Sequence, residues 1–370
     1  MMTSTTFDGP EADTLAAAPV AERARARVAD DMAMLRAAVE QTRDLQKANP
    51  AIYWIDFVVS VAVGYAALFA AMMPALGGWA VLAGAIAVLA LYRGSSFIHE
   101  LTHVKPSSVP GFHLGWNLLM GIPLLVPSFM YEGVHTLHHA RTRYGTAEDP
   151  EYLPLALMKP WSLPVFVGAA MLAPVALLFR FAVLSPLSLV FPAVRTRVIA
   201  CYSALSINPG FRRRPPEGQL KRDWQWQAAG ASLWALSLIA LVATGVVPLR
   251  AFLIFLGVAS GLAVINQVRT LVAHLWENEG EPMSVTAQYL DSVNVPPPGM
   301  LPFIWAPVGL RYHALHHLLP SVPYHHLGEA HRRLSSVLGA QSLYQQANYR
   351  GLTGLVYRLA ASTMGVRPAR

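Results

Sequence analysis

Charge is what this sequence most lacks. Of its 370 residues only 13% are Asp, Glu, Lys or Arg, about half the usual share in a soluble protein. Hydrophobic residues reach 54% and mean hydropathy is +0.39. A water-soluble domain has no means of hiding so much apolar surface, so the composition calls for a lipid environment. Cysteine is nearly absent. Cys201 stands alone, which excludes an internal disulfide framework, a Cys-based zinc or iron–sulfur site within one chain, and a Cys-x-x-Cys-His haem attachment. No Gly-x-Gly-x-x-Gly occurs, so neither a flavin nor a nicotinamide site is signalled. Residues 1–50 lack an apolar run, and no cleavable signal peptide is expected. Lysine is scarce too, four against 24 arginines, and with abundant alanine this suits a GC-rich bacterial gene and an inner-membrane location. The net charge of +7 comes from basic residues that flank apolar segments. That pattern fits anionic lipid headgroups, not a nucleic-acid partner.

The apolar segments predict an all-α integral membrane protein with two helical hairpins. The four expected spans are 51–73, 79–93, 228–247 and 251–266, each near the roughly 20 residues that cross a bilayer. Pro74, Gly77 and Gly78 turn the first hairpin, and Pro248 turns the second. Two further apolar stretches, Phe112–Met130 and Trp161–Phe191, carry several prolines, and the second contains Arg180. Both read as interfacial or re-entrant segments. Of the Lys and Arg residues only Arg250 falls in an expected outer turn. The positive-inside rule therefore places both termini and the long central segment in the cytosol. This gives three regions: residues 1–50, a leader (3–19) followed by a surface helix (21–47); residues 51–334, the membrane domain; and residues 335–370, a cytosolic tail.

The 13 histidines are clustered. Eight lie in three short windows, His99-Glu-Leu-Thr-His103, His135-Thr-Leu-His138-His139 and His313-Ala-Leu-His316-His317. Residues i, i+3 and i+4 share one helix face, so His99 and His103 can grip one metal. In each HxxHH window the first and last histidines face the same way. The middle one is turned by about 100° from its neighbour and can reach a second metal. Eight neutral imidazoles suit two first-row metal ions, with positions left open for a small ligand. An even number of expected crossings separates the windows, so all three emerge on the cytosolic face as a helical cap. His274 lies just past the second hairpin, at a height matching His99, and is a candidate ninth ligand.

With the hairpins, these windows and the stretch His316-His-Leu-Leu-Pro-Ser-Val-Pro-Tyr324 resemble the membrane fatty acid desaturases, most closely the acyl-lipid type. The resemblance runs from about Trp79 to Leu334. It implies a non-haem di-iron centre, two Fe ions held by His99, His103, His135, His138, His139, His313, His316 and His317, with His274 as an additional ligand. It implies O2 as co-substrate, a fatty acyl lipid as substrate, and electrons from a separate ferredoxin-like or cytochrome b5-like donor. Desaturation is the first expectation, and hydroxylation by the same chemistry is the second.

Blander and rival readings stand beside these. His99-Glu100-Leu-Thr-His103 matches HExxH, in which Glu100 is the general base of a zinc protease. The two HxxHH windows argue against that rival. His113, His325, His326 and His331 read as surface or supporting residues. Asn117, Glu132, Glu148, Asp149 and Asp291 are candidates for orienting the imidazoles. Trp224, Trp226, Trp234 and Trp276 read as interfacial anchors. The basic clusters Arg212–Arg214 and Lys221-Arg222 read as positive-inside residues, or as a dock for an acidic electron donor.

Overall fold

The computed structural model describes residues 28–365 and is helical throughout. Among these residues there is no strand, only three isolated bridges that join His274 to Ser292 and Asn294 to Tyr312 and Asn348. The leader expected at residues 3–19 lies outside the described residues, as does the first part of the expected surface helix.

α1 (Met32–Thr42) starts where Asp31 accepts from the backbone N–H groups of Ala33 and Met34. That contact satisfies two donors which the first helical turn leaves unpaired. α2 (Pro50–Met72) is capped by Asn49 and has Pro50 at its first position, where no N–H is needed. Its 23 residues extend roughly 34 Å, enough to cross a hydrocarbon core. The chain turns at Pro74–Leu76 and Gly77, whose φ of 48° suits glycine. It returns as α3 (Trp79–His103), ten residues longer than the expected span. α2 and α3 pack along their length, and a side chain at Gly64 would meet Leu91 at 2.6 Å. Within this hairpin Arg93 forms a two-pronged ion pair with Asp56, which also accepts from Tyr324 Oη at 2.9 Å.

After the short helix α4 (His135–His138), the apolar stretch expected to be re-entrant forms a 29-residue helical run, α5 (Ser162–Val190). Its length and composition qualify it to cross a membrane, so the described residues contain five such helices where four were expected. Pro164, Pro174 and Pro186 do not end the run because 3-10 and π turns, at Ala170–Leu172 and Arg180–Leu184, absorb the missing donors. Arg180 is buried there without a carboxylate. Its guanidinium donates to Tyr202 O at 2.8 Å, to Ser203 Oγ at 3.1 Å and to Ser185 Oγ.

α6 (Pro192–Tyr202) leads to the second hairpin, α7 (Gly218–Ala243) and α8 (Leu249–Leu271). α8 packs against α3, α2 and α5, and α7 against the π turn of α5. Phe69, Val81, Leu189, Leu233 and Leu253 remain exposed on these helices. Such an apolar belt belongs in contact with lipid tails.

The remaining elements form a cap: α9 (Val285–Asp291), α10 (His313–Leu318), α11 (Leu327–Leu338) and α12 (Leu352–Thr363). α1 belongs to it as well, since Met34 and Ala38 bury against Leu315, Leu327 and Leu334. The region expected as a C-terminal tail is folded in part. Tyr344 and Ala347 are fully buried, and α12 seals Leu355 and Leu359 against the segments around Val272 and Trp276. Apolar residues four apart on α12 give it a face to bury.

Candidate metal centre

Each histidine window is placed by a helix end. α3 carries His99 and His103 out of the hairpin on its final turns. With the three windows numbered as boxes one to three in chain order, box two is reached through a tight turn at Ser128–Met130, after which α4 presents His135 and His138, with His139 as its cap. α10 presents His313, His316 and His317. His274 follows α8 and is held by its bridge to Ser292.

The nine side chains meet as two groups. His99, His103, His135, His139 and His316 form one, and His138, His274, His313 and His317 form the other; within each, one ligand atom per residue lies within 4.8 Å of the rest. Each HxxHH window is split as its helical spacing requires, the outer pair to one group and the middle residue to the other. The windows thereby stitch the groups together.

The donor set fits metal ions. Nε2 atoms approach one another at 3.0 Å for His135 and His139, 3.1 Å for His103 and His316, and 3.2 Å for His139 and His316. In the second group His274 and His313 approach at 3.0 Å, and His313 and His317 at 3.2 Å. Two nitrogens each about 2.1 Å from a shared ion, at right angles, stand about 3.0 Å apart. His99 is buried, yet neither ring nitrogen has a hydrogen-bond partner. An ion bound there would supply the partner it lacks. Burial holds His135, His139, His274, His313, His316 and His317 well below the ordinary imidazole pKa, so their rings are neutral and their lone pairs free. His138 differs. Burial pulls it down, but Asp149, with Glu151 and Asp291, outweighs burial and raises it.

Outer partners fix the ring orientations. His138 Nδ1 donates to both oxygens of Asp149, at 3.0 and 2.9 Å. His135 Nδ1 lies 2.5 Å from Glu151 Oε2 and 2.8 Å from Tyr131 Oη. Burial pushes the Glu151 carboxyl up to about 7. His274 Nδ1 lies 2.8 Å from Tyr144 Oη, which donates to Asp291 Oδ2 at 2.8 Å. Arg269 Nη2 is 3.3 Å from His313 Nδ1. Such partners set the tautomer and basicity of a ligating imidazole.

Of the five orienting residues expected, Asp149 and Asp291 stand at the centre. Glu148 pairs with Arg143 at 3.0 Å instead, and Asn117 and Glu132 belong to a separate cluster with His113 and Ser128. Glu151, Tyr131, Tyr144, Ser292 and Arg269 were missed. The run Glu148-Asp149-Pro-Glu151, directly after box two, was the signal for Glu151. The four histidines outside both groups hold other parts of the chain: His113 pairs with Glu132, His325 Nε2 accepts from Asn49 N, His326 Nδ1 donates to Leu45 O, and His331 contacts Tyr344 Oη. Glu100 belongs to neither group. Its buried carboxylate accepts from Tyr53 Oη and from Tyr324 N, which locks box one to the segment after box three. It is engaged as a brace, which leaves the zinc-protease role without its base.

The family model for fatty acid desaturases matches residues 77–349. The chain belongs to the fatty acid desaturase family. It is also 47% identical over 327 residues, 88% of this chain and 93% of the other, to a ceramide hydroxylase of Caulobacter vibrioides (strain NA1000 / CB15N). No solved structure matches it significantly. The family is of the non-haem di-iron type, and this member is a lipid-modifying oxidoreductase whose two histidine groups suit that metal pair.

Proposed function

We propose that this protein is an O2-dependent lipid hydroxylase that acts on a ceramide, with nine histidines holding two iron ions. The observation that carries this reading is the 47% identity to a ceramide hydroxylase. A match over 88% of the chain takes in the region from His99 to His317 wherever it begins. It moves the weight from desaturation, the first expectation of the sequence, to hydroxylation. Both reactions start by removing hydrogen from a chain carbon. They part on whether oxygen returns to that carbon or a second hydrogen leaves its neighbour, and substrate placement decides which.

The iron pair, when bound, supplies the reduction of O2 and the cleavage of a C–H bond. The chain's own residues do the rest. Neutral, buried imidazoles offer lone pairs without protons to displace. Asp149, Glu151 and the Tyr144–Asp291 pair hold the rings at fixed angles and balance positive charge in a buried site. Glu100, Tyr53 and Tyr324 keep boxes one and three in register. The exposed apolar faces of α2, α3, α7 and α8 offer lipid tails a way in from the bilayer. No flavin or haem motif is present in the sequence, so two electrons per turnover come from a separate donor. Of the basic residues considered as its dock, Arg213 is committed elsewhere, donating to Phe129 O at 2.6 Å and Ser203 O at 2.5 Å.

The test is a lipid mass profile of a ceramide-producing bacterial host that expresses the chain aerobically, against a His138→Ala control. Ceramides heavier by one oxygen atom, absent from the control, support the reading. Ceramides or acyl lipids lighter by two hydrogens overturn it in favour of desaturation.

A further inference from the structure

Three aromatic side chains stand behind the four-histidine group, and the reaction as described gives Tyr152 and Trp276 no part and Tyr144 only an orienting one. Tyr144, Tyr152 and Trp276 are all buried. The Tyr144 ring centroid lies 5.1 Å from that of His138 and 5.2 Å from that of His317. From there Tyr152 is 5.6 Å away, and Trp276 is a further 5.1 Å beyond it. Trp276 closes the path on His274 at 4.9 Å. It is therefore no interfacial anchor, as its sequence position suggested.

Packing alone does not account for the trio. Trp276 has a φ of 61°, in the left-handed region where a bulky residue is strained. The fold holds it there with its indole N–H donating to Leu271 O at 2.7 Å. Phenylalanine would fill the place of either tyrosine, yet both are phenols with polar partners, Tyr144 on Asp291 and Tyr152 accepting from Asn278 N at 3.2 Å. Phenols and indoles are the side chains most readily oxidised by one electron. Against the five-histidine group, Tyr131 stacks on His135 at 4.8 Å, and no further ring contact leads away from it among the described residues.

We propose that Tyr144, Tyr152 and Trp276 form a one-electron relay. It takes surplus oxidising equivalents in place of the ligating histidines when O2 is reduced with no substrate in place. The proposal rests on the oxygenase reading above. Reducing O2 to two waters takes four electrons and four protons. In hydroxylation the donor supplies two electrons and the substrate C–H bond two, so one oxygen enters product and one enters water. Without substrate the second pair comes from the protein. Tyr144 gives one electron to the centre while its phenolic proton crosses to Asp291, leaving a neutral tyrosyl radical. An electron from Trp276, passed by way of Tyr152, restores Tyr144, its proton returning from Asp291, and leaves the indole as a radical cation. The second equivalent follows the same route. Trp276, two electrons short, then adds one water and releases two protons, becoming hydroxytryptophan.

The experiment uses the full chain, loaded with iron in phosphatidylcholine nanodiscs without ceramide, reduced with dithionite, desalted anaerobically to remove the excess reductant, and mixed with O2. Oxygen uptake is recorded first, then radicals by freeze-quench electron paramagnetic resonance, then oxidised residues by peptide mass spectrometry. Tyr152→Phe and Trp276→Phe are run beside wild type, with iron content and thermal melting reported for each. The relay predicts a tyrosyl or tryptophanyl signal and oxidation concentrated at Trp276, reduced several-fold in Tyr152→Phe. In folded, iron-loaded Trp276→Phe it predicts more oxidised histidine per O2 consumed. Wild type that consumes O2 but oxidises its histidines, with the same pattern in Tyr152→Phe, overturns the relay and leaves the oxygenase reading intact. An iron-loaded chain that consumes no O2 refutes the oxygenase reading, and the relay with it.

Discussion

Replacing Asp149 by Asn should separate the two histidine groups. Asp149 is fully buried, and its carboxylate accepts four contacts: two from His138 Nδ1, one from Gly145 N at 2.8 Å and one from Glu151 N at 2.8 Å. Asparagine keeps one acceptor oxygen, so its NH2 must face either Gly145 N–H or Glu151 N–H, donor against donor. Leaving one buried donor unpaired costs about 1–3 kcal/mol of stability. Losing the carboxylate behind a ligating histidine costs a further 10- to 100-fold in metal affinity, as an order of magnitude, or about 1.4–2.7 kcal/mol. His138 serves the four-histidine group alone. Dialysis against a weak chelator should therefore strip one ion from Asp149→Asn and leave the other, whereas wild type keeps both. Metal per chain by mass spectrometry, paired with a thermal melt, reads out both effects. Two ions retained at wild-type affinity would refute the assignment of Asp149 as the support of His138. Simultaneous loss of both ions would refute the independence of the groups.

Other outcomes follow from the same geometry. Glu100→Ala strands the Tyr53 hydroxyl and the Tyr324 N–H, so melting should fall by an amount equivalent to roughly 1–3 kcal/mol per group. Glu100→Gln keeps an acceptor and should retain most of the activity. An HExxH general base would tolerate neither change, so complete inactivity of a folded, metal-loaded Gln variant would contradict the bracing role. The His113–Glu132 pair predicts a stability maximum in mildly acidic solution. Burial lowers His113 but Glu132 more than offsets it, so its folded pKa sits above 6.5. That contribution is complete below 6.5 and fades as pH rises through the higher folded value. Burial raises Glu132 but His113 outweighs it, so its folded pKa sits below 4.5. Its contribution is complete above 4.5 and is lost as pH falls through the lower value. Glu132→Gln should lower melting between pH 4.5 and 6.5 and flatten the fall on either side of that window, and an unchanged profile would count against the pair. Arg213→Ala frees the carbonyls of Phe129, Glu132 and Ser203. It should lower melting more than Arg212→Ala, whose side chain reaches only Pro209 O and Phe211 O in its own loop.

Periodicity made much of this centre legible from the sequence. A 100° turn per residue sends His138 and His316 to the opposite group from their neighbours, and the structure places them so. His274 was found by its height past a hairpin, a property that local sequence also encodes. The supporting residues were harder. Tyr144 meets His274 across 130 positions and Arg269 meets His313 across 44. No local pattern announces such contacts, because they are decided by how α8 and the cap pack. The continuity of 162–190 as one helical run was missed for a physical reason. Proline and a buried arginine argue against a regular helix one residue at a time, whereas a long run absorbs them with widened turns and local acceptors. Trp276 was misread as an anchor because tryptophan beside a span is usually one.

The most direct test of the whole account is turnover under isotopically heavy O2. Purified iron-loaded protein in nanodiscs containing ceramide, given a reductant, is predicted to yield hydroxyceramide carrying one heavy oxygen atom per new hydroxyl. A ceramide product that has lost two hydrogens and carries no heavy oxygen would contradict it.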